Sequence, residues 1–261
     1  SASLDSGGSA TPTTPTLASS TELDTKQLLT YDVILAVSQA HHSNCEYTEE
    51  NTRLLVRKPV SLPERSTSCG PIKIKNGFPS VFLFTGFCDL SQDDQLILIK
   101  MGFFELWIGY VARLTTDSSL TFSDGTFVTR QQLEVMYDSE FVSTLINFTS
   151  SFNSLALNDT EIGLFSAVVL LTPDRSGITD IKTIEQHQDR LMDALKLQIV
   201  SNHSSEPAVL SGVLVKIVEL KSIGIKHSAH LDWFRENWKK LRLPPLFAEI
   251  FDIPKCEEDL Q

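Results

Sequence analysis

The sequence predicts an all-α domain interrupted by one small β-hairpin, and two patterns support this prediction. From Thr25 onward, apolar residues recur mainly at spacings of three and four, as they do on the buried face of an α-helix. Between Leu120 and Val128 they alternate with polar residues around Asp124-Gly125, a dipeptide that favours a hairpin turn. A chain of 261 residues can bury a substantial core, so we expect the helices to pack in layers within one domain.

Composition argues against several kinds of site. The formal net charge of −11 is unsuited to a nucleic-acid surface, so DNA would be contacted by a domain outside this chain. The cysteines are too far apart for a zinc module or a dense disulfide framework, and they indicate reduced thiols in an intracellular protein. No apolar run reaches the roughly 18 residues of a membrane span, and P-loop, dinucleotide-binding and G-x-S-x-G signatures are missing. We therefore expect neither a membrane protein nor an enzyme.

The N-terminal part of the chain changes character twice. Residues 1–24 are mostly Ser, Thr, Ala, Gly and Pro, a composition that predicts a flexible linker. A first amphipathic helix is predicted from Thr25 to about Ala40. Residues 46–84 then contain repeated prolines and glycines, and we recognise no long helical period among them. This stretch is therefore predicted to be irregular.

The most apolar segment of the chain runs from Leu96 to Ile108 and predicts a central helix. Ser91, followed by two aspartates, is typical of a helix N-terminus. Since the segment is apolar on nearly all sides, the helix has to pass through the centre of the domain, and we expect it to end near Leu114. Further helices are predicted over residues 130–137, 139–155, 159–171, 180–201 and 207–239.

A short helix is predicted at Leu246–Phe251, where four large apolar residues surround Glu249. Pro245 can occupy a first helical turn, and Pro254 prevents the helix from continuing. A helix of this length lies below the roughly 12 to 15 residues that marginal stability requires, so its position depends on the surface against which it packs. That dependence would allow the helix to act as a switch.

Several polar residues lie where the sequence predicts burial. Glu105 falls inside the apolar central helix and needs a cation, for which Arg175 is the candidate in a structural salt bridge. Arg113 ends the same helix and is either a ligand anchor or part of an internal salt bridge. His227 and His230 lie three residues apart on one helical face. A histidine directed inward could hydrogen-bond a ligand or a helix, or bind a haem iron.

Four segments together resemble the ligand-binding domain of nuclear receptors. They are Thr85–Leu90, Asp93–Gly102, the Asp-Gly hairpin and Leu246–Phe251. The resemblance covers roughly residues 25–50 and 85–254, and it looks closest to the subgroup of the retinoic-acid-related and Rev-erb orphan receptors. Arthropod ecdysone-inducible orphan receptors belong to this subgroup too.

The resemblance implies a three-layer antiparallel helical sandwich around a lipophilic pocket. The ligand-binding domain would occupy residues 25–254, and residues 255–261 would form a tail. Leu246–Phe251 would be the activation helix, in which Glu249 binds the N-terminal amides of a coactivator LxxLL helix. Lys100 would bind the carbonyls at the other end of that helix, so the two charges would clamp one helix dipole, at roughly 0.3–1 kcal/mol for each end. The implied coactivator groove is formed by Leu246, Phe247, Ile250 and Gln95.

The resemblance also implies a set of pocket residues, namely Arg113, Phe104, Trp107, Ile108, Phe122 and His227. Arg113 and His227 match ligand-contacting positions of the family. In Rev-erb-like relatives the histidine binds haem, but those receptors lack the activation helix that this chain retains. In retinoic-acid-related receptors the histidine pairs with a tyrosine of the last helix. This chain has Phe247 there, so we expect that latch not to form.

The chain departs from the family pattern between residues 51 and 84. A typical member has a long third helix there, which lines the pocket and ends in a lysine that forms half of the clamp. Here that helix is not recognisable, and Val81-Phe82-Leu83-Phe84 supplies no lysine. We therefore expect a compromised pocket and only part of the coactivator groove.

The sequence thus favours the regulatory domain of a nuclear transcription factor. It would recruit an LxxLL coactivator or a related corepressor, with a lipophilic ligand bound or with the interior packed by side chains. One alternative is a haem-binding gas or redox sensor that uses His227. Another is a ligand-independent module that dimerises with a receptor partner through the surface of residues 207–239.

Overall fold

The computed structural model describes residues 20–59, 86–116, 119–240 and 245–254. Its helices confirm the predicted all-α class. In chain order they are α1 (Ser20–Asn44), α2 (Glu49–Thr52), α3 (Gln92–Val111), α4 (Arg130–Leu133), α5 (Ser139–Asn153), α6 (Asp159–Leu170), α7 (Ile181–Asn202), α8 (Ala208–Asn237) and α9 (Pro245–Ile250). Short 3₁₀ turns occur at Phe87–Asp89, Ala112–Leu114 and Trp238–Lys240.

The helices pack in layers with α3 and α6 in the middle. α6 contacts α1, α7 and α3, and α3 contacts α5 and α8 on its other side. α3 is buried along most of its length, and Leu98, Ile108 and Val111 are completely inaccessible. By length and composition alone the segment Gln92–Leu114 could cross a membrane. However, 61% of its most apolar 18-residue stretch is buried inside the domain. It is therefore the core helix that the sequence predicted.

A small sheet extends the predicted hairpin. β2 (Ser119–Thr121) and β3 (Thr126–Thr129) are antiparallel, and β1 (Lys58–Pro59) pairs with β3 in parallel. Between them Gly125 has φ +84°, and an added Cβ would lie 2.2 Å from the carbonyl oxygen of Val56. Only glycine fits there, because a side chain would meet both a strained backbone and a neighbouring chain segment.

One predicted boundary is wrong. α1 begins at Ser20, so the predicted linker of residues 1–24 overlaps the first helix, whose early residues are exposed and lack a strong apolar period. Residues 46–84 were predicted to be irregular, and within residues 46–59 the regular elements are the short α2 and β1. Residues 1–19, 60–85 and 255–261 lie outside the described part of the chain. The remainder of the linker, nearly all of the stretch in which the third helix was not recognised, and the tail fall there.

One buried ion pair joins α3 to the loop between α6 and α7. Arg175 donates two hydrogen bonds of 2.7 Å to the two carboxylate oxygens of Glu105, and both side chains are buried. Burial raises the pKa of Glu105, while the hydrogen bonds from Arg175 oppose that change. Gly224 of α8 packs against the pair, since a Cβ at that position would lie 2.4 Å from Glu105 Oε1. The sequence-predicted partners therefore meet, and they bring three elements together.

We predict that Arg175→Met lowers the free energy of unfolding by about 3–5 kcal/mol, because it leaves the carboxylate of Glu105 buried without a cation. The double variant Glu105→Gln/Arg175→Met should lose less. The measurement is urea denaturation followed by circular dichroism. Lys221→Met is the matched control, because Lys221 pairs with Asp174 at the surface and an exposed pair contributes about 1 kcal/mol or less. Equal losses for the two single variants would contradict the prediction.

Candidate functional site

The terminal helix α9 is held by aromatic side chains that face the interior. Phe247, Phe251 and the following Ile253 are all buried. The ring of Phe251 meets Phe103 of α3 edge to face, with centroids 5.8 Å apart, and it meets Phe247 at 4.7 Å. Phe247 in turn contacts Phe234 of α8 at 6.3 Å. A helix of six residues thus gains its position by packing on α3 and α8.

The C-terminal end of α9 is closed by two further groups. The guanidinium of Arg235 on α8 donates hydrogen bonds of 2.8 and 3.2 Å to the carbonyl oxygen of Phe251. Asp252 has φ +52°, and the next amide, of Ile253, donates to the carbonyl oxygen of Ala248 at 2.8 Å. These bonds satisfy carbonyl groups that a helix end leaves without intrahelical partners.

The outer side of α9 and the adjoining part of α3 carry three of the residues that the resemblance placed at the coactivator surface, namely Glu249, Ile250 and Lys100. Glu249 is exposed and Ile250 is half-buried. Lys100 of α3 forms an ion pair with Asp252, just beyond α9. Leu96 lies one turn before Lys100 on α3 and is 52% exposed. We call the surface formed by Leu96, Lys100, Glu249 and Ile250 the α3–α9 face.

Two other predicted groove residues, Phe247 and Gln95, have different positions. Phe247 was predicted in the groove, but its side chain is only 7% exposed and faces the core, because it packs against α8 and Phe251. Gln95 is half-buried and donates from its amide to the carbonyl oxygen of Leu90 at 2.9 Å. The side chain of Leu246 lies outside the described part of the structure.

Beneath α9 lies an aromatic cluster centred on His227. The imidazole of His227 is 1% exposed and stacks on the ring of Phe104, with centroids 3.7 Å apart and planes within 5°. The hydroxyl of Tyr137 lies 3.1 Å from His227 Nε2. The ring of Phe251 meets the imidazole at 5.2 Å, close to edge to face, and Phe141 packs against both Tyr137 and His227. We call these five residues the aromatic cluster.

The latch to a tyrosine of the last helix was expected not to form, and His227 has a different hydroxyl partner. Phe247 indeed supplies no hydroxyl, but Tyr137 does so from the loop between α4 and α5, and Phe251 supplies the ring contact from α9. Sequence reasoning missed Tyr137, because its partner lies 90 residues away on another helix. No local pattern marks such a pair.

The other predicted pocket residues divide into two groups. Trp107 contacts Phe104 at 5.8 Å and stacks on Phe122 at 6.2 Å, so these rings continue from the cluster, and Ile108 is fully buried in the core. Arg113 has other partners, because its guanidinium forms an ion pair with Asp159 and donates to a backbone carbonyl at 3.2 Å. It lines a half-open recess of about 300 Å³. Of the two roles considered for Arg113, the internal salt bridge is present.

The arrangement around His227 does not fit haem. Burial, and then the neighbouring charges of His230 and Arg235, lower the pKa of His227 to about 3, so the ring is neutral. An iron ion binds the lone pair of Nε2 in the plane of the ring, and that position is taken by the hydroxyl of Tyr137, so the ion would have to displace it. Among the described residues, no group of three His, Cys, Asp or Glu side chains is suited to hold a metal ion.

The layered helical fold agrees with what the chain is similar to. Residues 83–235 match the family model described as the ligand-binding domain of nuclear hormone receptor. The chain belongs to the nuclear receptor family. It is 48% identical over 257 residues to Ecdysone-induced protein 78C of Drosophila melanogaster, across 90% of this chain. It is 36% identical over 152 residues to Nuclear receptor subfamily 1 group D member 2 of Rattus norvegicus, across 58% of this chain.

These relatives agree with the resemblance to the Rev-erb and ecdysone-inducible subgroup. The chain spans 30% of the length of the first relative and 26% of the length of the second. Members of the family are transcription factors of the nucleus and not enzymes, and their ligand-binding domains typically bind coregulators and dimerise.

The neutral state of His227 leads to a pH prediction. The unfolded chain takes up a proton on this residue near pH 6.5, whereas the folded protein does so only near pH 3. The unfolded state therefore binds more protons in this window, and stability falls as the pH falls, by about 1.4 kcal/mol per pH unit for one histidine. His41, also buried, has its pKa lowered to about 4, chiefly by desolvation, and adds to the loss.

The check is urea denaturation at several pH values between 6.5 and 4.5. We expect the loss of stability with acid to be less steep in His227→Phe and in His41→Phe than in the unmodified chain. It should be least steep in the double variant. An unchanged slope in all three would show that neither histidine is held neutral by the fold.

Proposed function

We propose that this domain recruits a coregulator that presents an LxxLL helix to the α3–α9 face. The observation that supports this proposal is the docked α9, which buries Phe247 and Phe251 and leaves Glu249 exposed at the surface. Leu96 and Ile250 add apolar surface to this face, since Leu96 is 52% exposed and Ile250 is partly buried. An amphipathic partner helix needs this combination of an apolar strip with charges at its ends.

The charges suit the two ends of such a helix. Glu249 would accept hydrogen bonds from the free amides at the N-terminus of the partner, and Lys100 would donate to the carbonyls at its C-terminus. Lys100 first has to leave Asp252. The side chain of Asp252 is 65% exposed, so this ion pair contributes about 1 kcal/mol or less to stability. A partner that buries its leucines in the groove can therefore replace it.

We further propose that side-chain packing holds α9 in place without a ligand. Rings that stack 3.7 Å apart, as Phe104 and His227 do, leave no space for a ligand atom between them. A lipophilic ligand would therefore have to separate two buried rings and break the bond to Tyr137. Within this proposal the domain acts in the nucleus, and a part of the receptor outside this chain binds DNA.

We predict that Glu249→Ala weakens binding of an LxxLL peptide by about two- to fivefold, the equivalent of roughly 0.3–1 kcal/mol for one end of the helix dipole. Fluorescence anisotropy of a labelled LxxLL peptide, titrated with the purified chain, measures the effect. Glu185→Ala is the matched control, because Glu185 is an exposed glutamate in the middle of α7. If Glu249→Ala and Glu185→Ala bind the peptide as tightly as the unmodified chain, Glu249 is not part of a clamp.

A second proposed function, dimerisation with another receptor domain, is supported by the outer side of α8. Val215, Val218 and Ile225 are 53%, 70% and 67% exposed. Their spacings of three and seven place them along one stripe of the helix. Exposed apolar side chains in a row are typical of a surface that is covered by a partner.

We predict that Val218→Glu weakens dimerisation at least tenfold, because it places a charge in the middle of this apolar stripe. Sedimentation velocity over a range of protein concentrations measures the monomer–dimer equilibrium. Val200→Glu serves as the control, since Val200 is 56% exposed on α7. The same monomer fraction in the unmodified chain and in Val218→Glu would exclude this surface.

A further inference from the structure

Tyr137 is the one polar side chain of the loop between α4 and α5 that reaches into the aromatic cluster. It is 9% exposed, and its ring contacts Phe141 of α5 and Phe234 of α8. Its amide donates to the carbonyl oxygen of Leu133 at 2.9 Å, which ties the residue to the end of α4. The loop therefore fixes where the hydroxyl lies.

The loop is joined to α8 at two successive places. The hydroxyl of Tyr137 meets His227 Nε2 at 3.1 Å. One turn further along α8, His230 Nε2 lies 3.3 Å from a carboxylate oxygen of Asp138, and Asp138 also accepts a hydrogen bond from the amide of Phe141 at the start of α5. Residues 134–138 thus bind the face of α8 that turns toward the interior.

His227 connects the α4–α5 loop to the terminal helix, because it contacts both Tyr137 and Phe251. Its imidazole lies with one face on Phe104 and meets the ring of Phe251 at an interplanar angle of 66°. Stacking on Phe104 fixes the plane of the imidazole, but two ring orientations related by a 180° rotation about the Cβ–Cγ bond share that plane, so stacking alone does not fix the orientation. The hydroxyl of Tyr137 fixes it, and so fixes the edge that Phe251 meets.

We propose that Tyr137 is a positioning residue for α9 that acts through His227. The α4–α5 loop then controls how firmly the α3–α9 face is held, although Tyr137 itself does not belong to that face. This inference deepens the proposed function and rests on it only where peptide binding is concerned. The position of α9 can be tested without any partner.

The first measurement is hydrogen–deuterium exchange of residues 245–253 in the purified chain without peptide. Tyr137→Phe keeps the ring and removes the hydroxyl, and the loss of one buried hydrogen bond should raise exchange in α9 about fivefold. The control is Tyr47→Phe. Tyr47 is a partly buried tyrosine that is hydrogen-bonded to Ser123 near the sheet, so its variant loses a tyrosine hydrogen bond elsewhere. If Tyr137 had only a structural role, Tyr137→Phe would raise exchange throughout the domain. Exchange in α9 would then rise no more in Tyr137→Phe than in Tyr47→Phe.

A double variant tests whether the effect passes through His227. His227→Phe keeps a ring between Phe104 and Phe251, but it leaves the hydroxyl of Tyr137 without this partner. Adding Tyr137→Phe then replaces both partners by apolar rings, so α9 in the double variant should exchange no faster than in His227→Phe. If the two substitutions raise exchange in α9 independently, so that their effects multiply in the double variant, the proposal is overturned. Unchanged exchange in Tyr137→Phe would also overturn it.

Titration with the labelled LxxLL peptide separates this inference from the proposed function. If both hold, Tyr137→Phe weakens peptide binding by about two- to fivefold and Tyr47→Phe does not. If the unmodified chain binds no peptide but Tyr137→Phe still raises exchange in α9, the positioning role stands and coregulator recruitment fails. If the unmodified chain binds peptide and Tyr137→Phe changes neither binding nor exchange, the positioning role fails and recruitment stands.

Discussion

The burial of one ring, that of Phe251, is the contact on which the functional surface depends. A helix as short as α9 has no stability of its own, and this ring attaches it both to Phe103 on α3 and to His227 on α8. Each aromatic pair contributes about 0.5–1.5 kcal/mol beyond the area it buries. The packing of this ring in the interior therefore helps to set the position of Glu249 on the surface.

The two ion pairs of α3 show the same division between interior and surface. Glu105 and Arg175 are buried, and loss of one partner leaves an uncompensated charge in the core. Lys100 and Asp252 are more exposed, so water and salt can compensate for their separation. The inner side of α3 is thus fixed, while its outer side can exchange one partner for another. The coregulator binding proposed for this surface would use both properties.

His227 has a different role here from the one that the resemblance to haem-binding receptors implied. Its nitrogen meets the hydroxyl of Tyr137 and its ring face meets Phe104, so it serves as a neutral packing residue. A single tyrosine on a neighbouring loop is enough to change the chemistry available to a histidine. Family membership therefore establishes the fold of this chain, whereas the individual side-chain contacts determine what His227 and its neighbours can bind.

The sequence by itself determined the helices of the core and the limits of α9. A helical period is encoded over three or four residues, and prolines set boundaries locally, so α3, α5 to α8 and α9 could be predicted from neighbouring residues. It also identified Glu105 as a buried charge in need of a cation. Only the tertiary structure decided that Phe247 faces inward, that β1 joins the hairpin, and that Tyr137 meets His227. These contacts join residues far apart in the chain, and their energy exists only after the helices have packed, so no local pattern in the sequence encodes them.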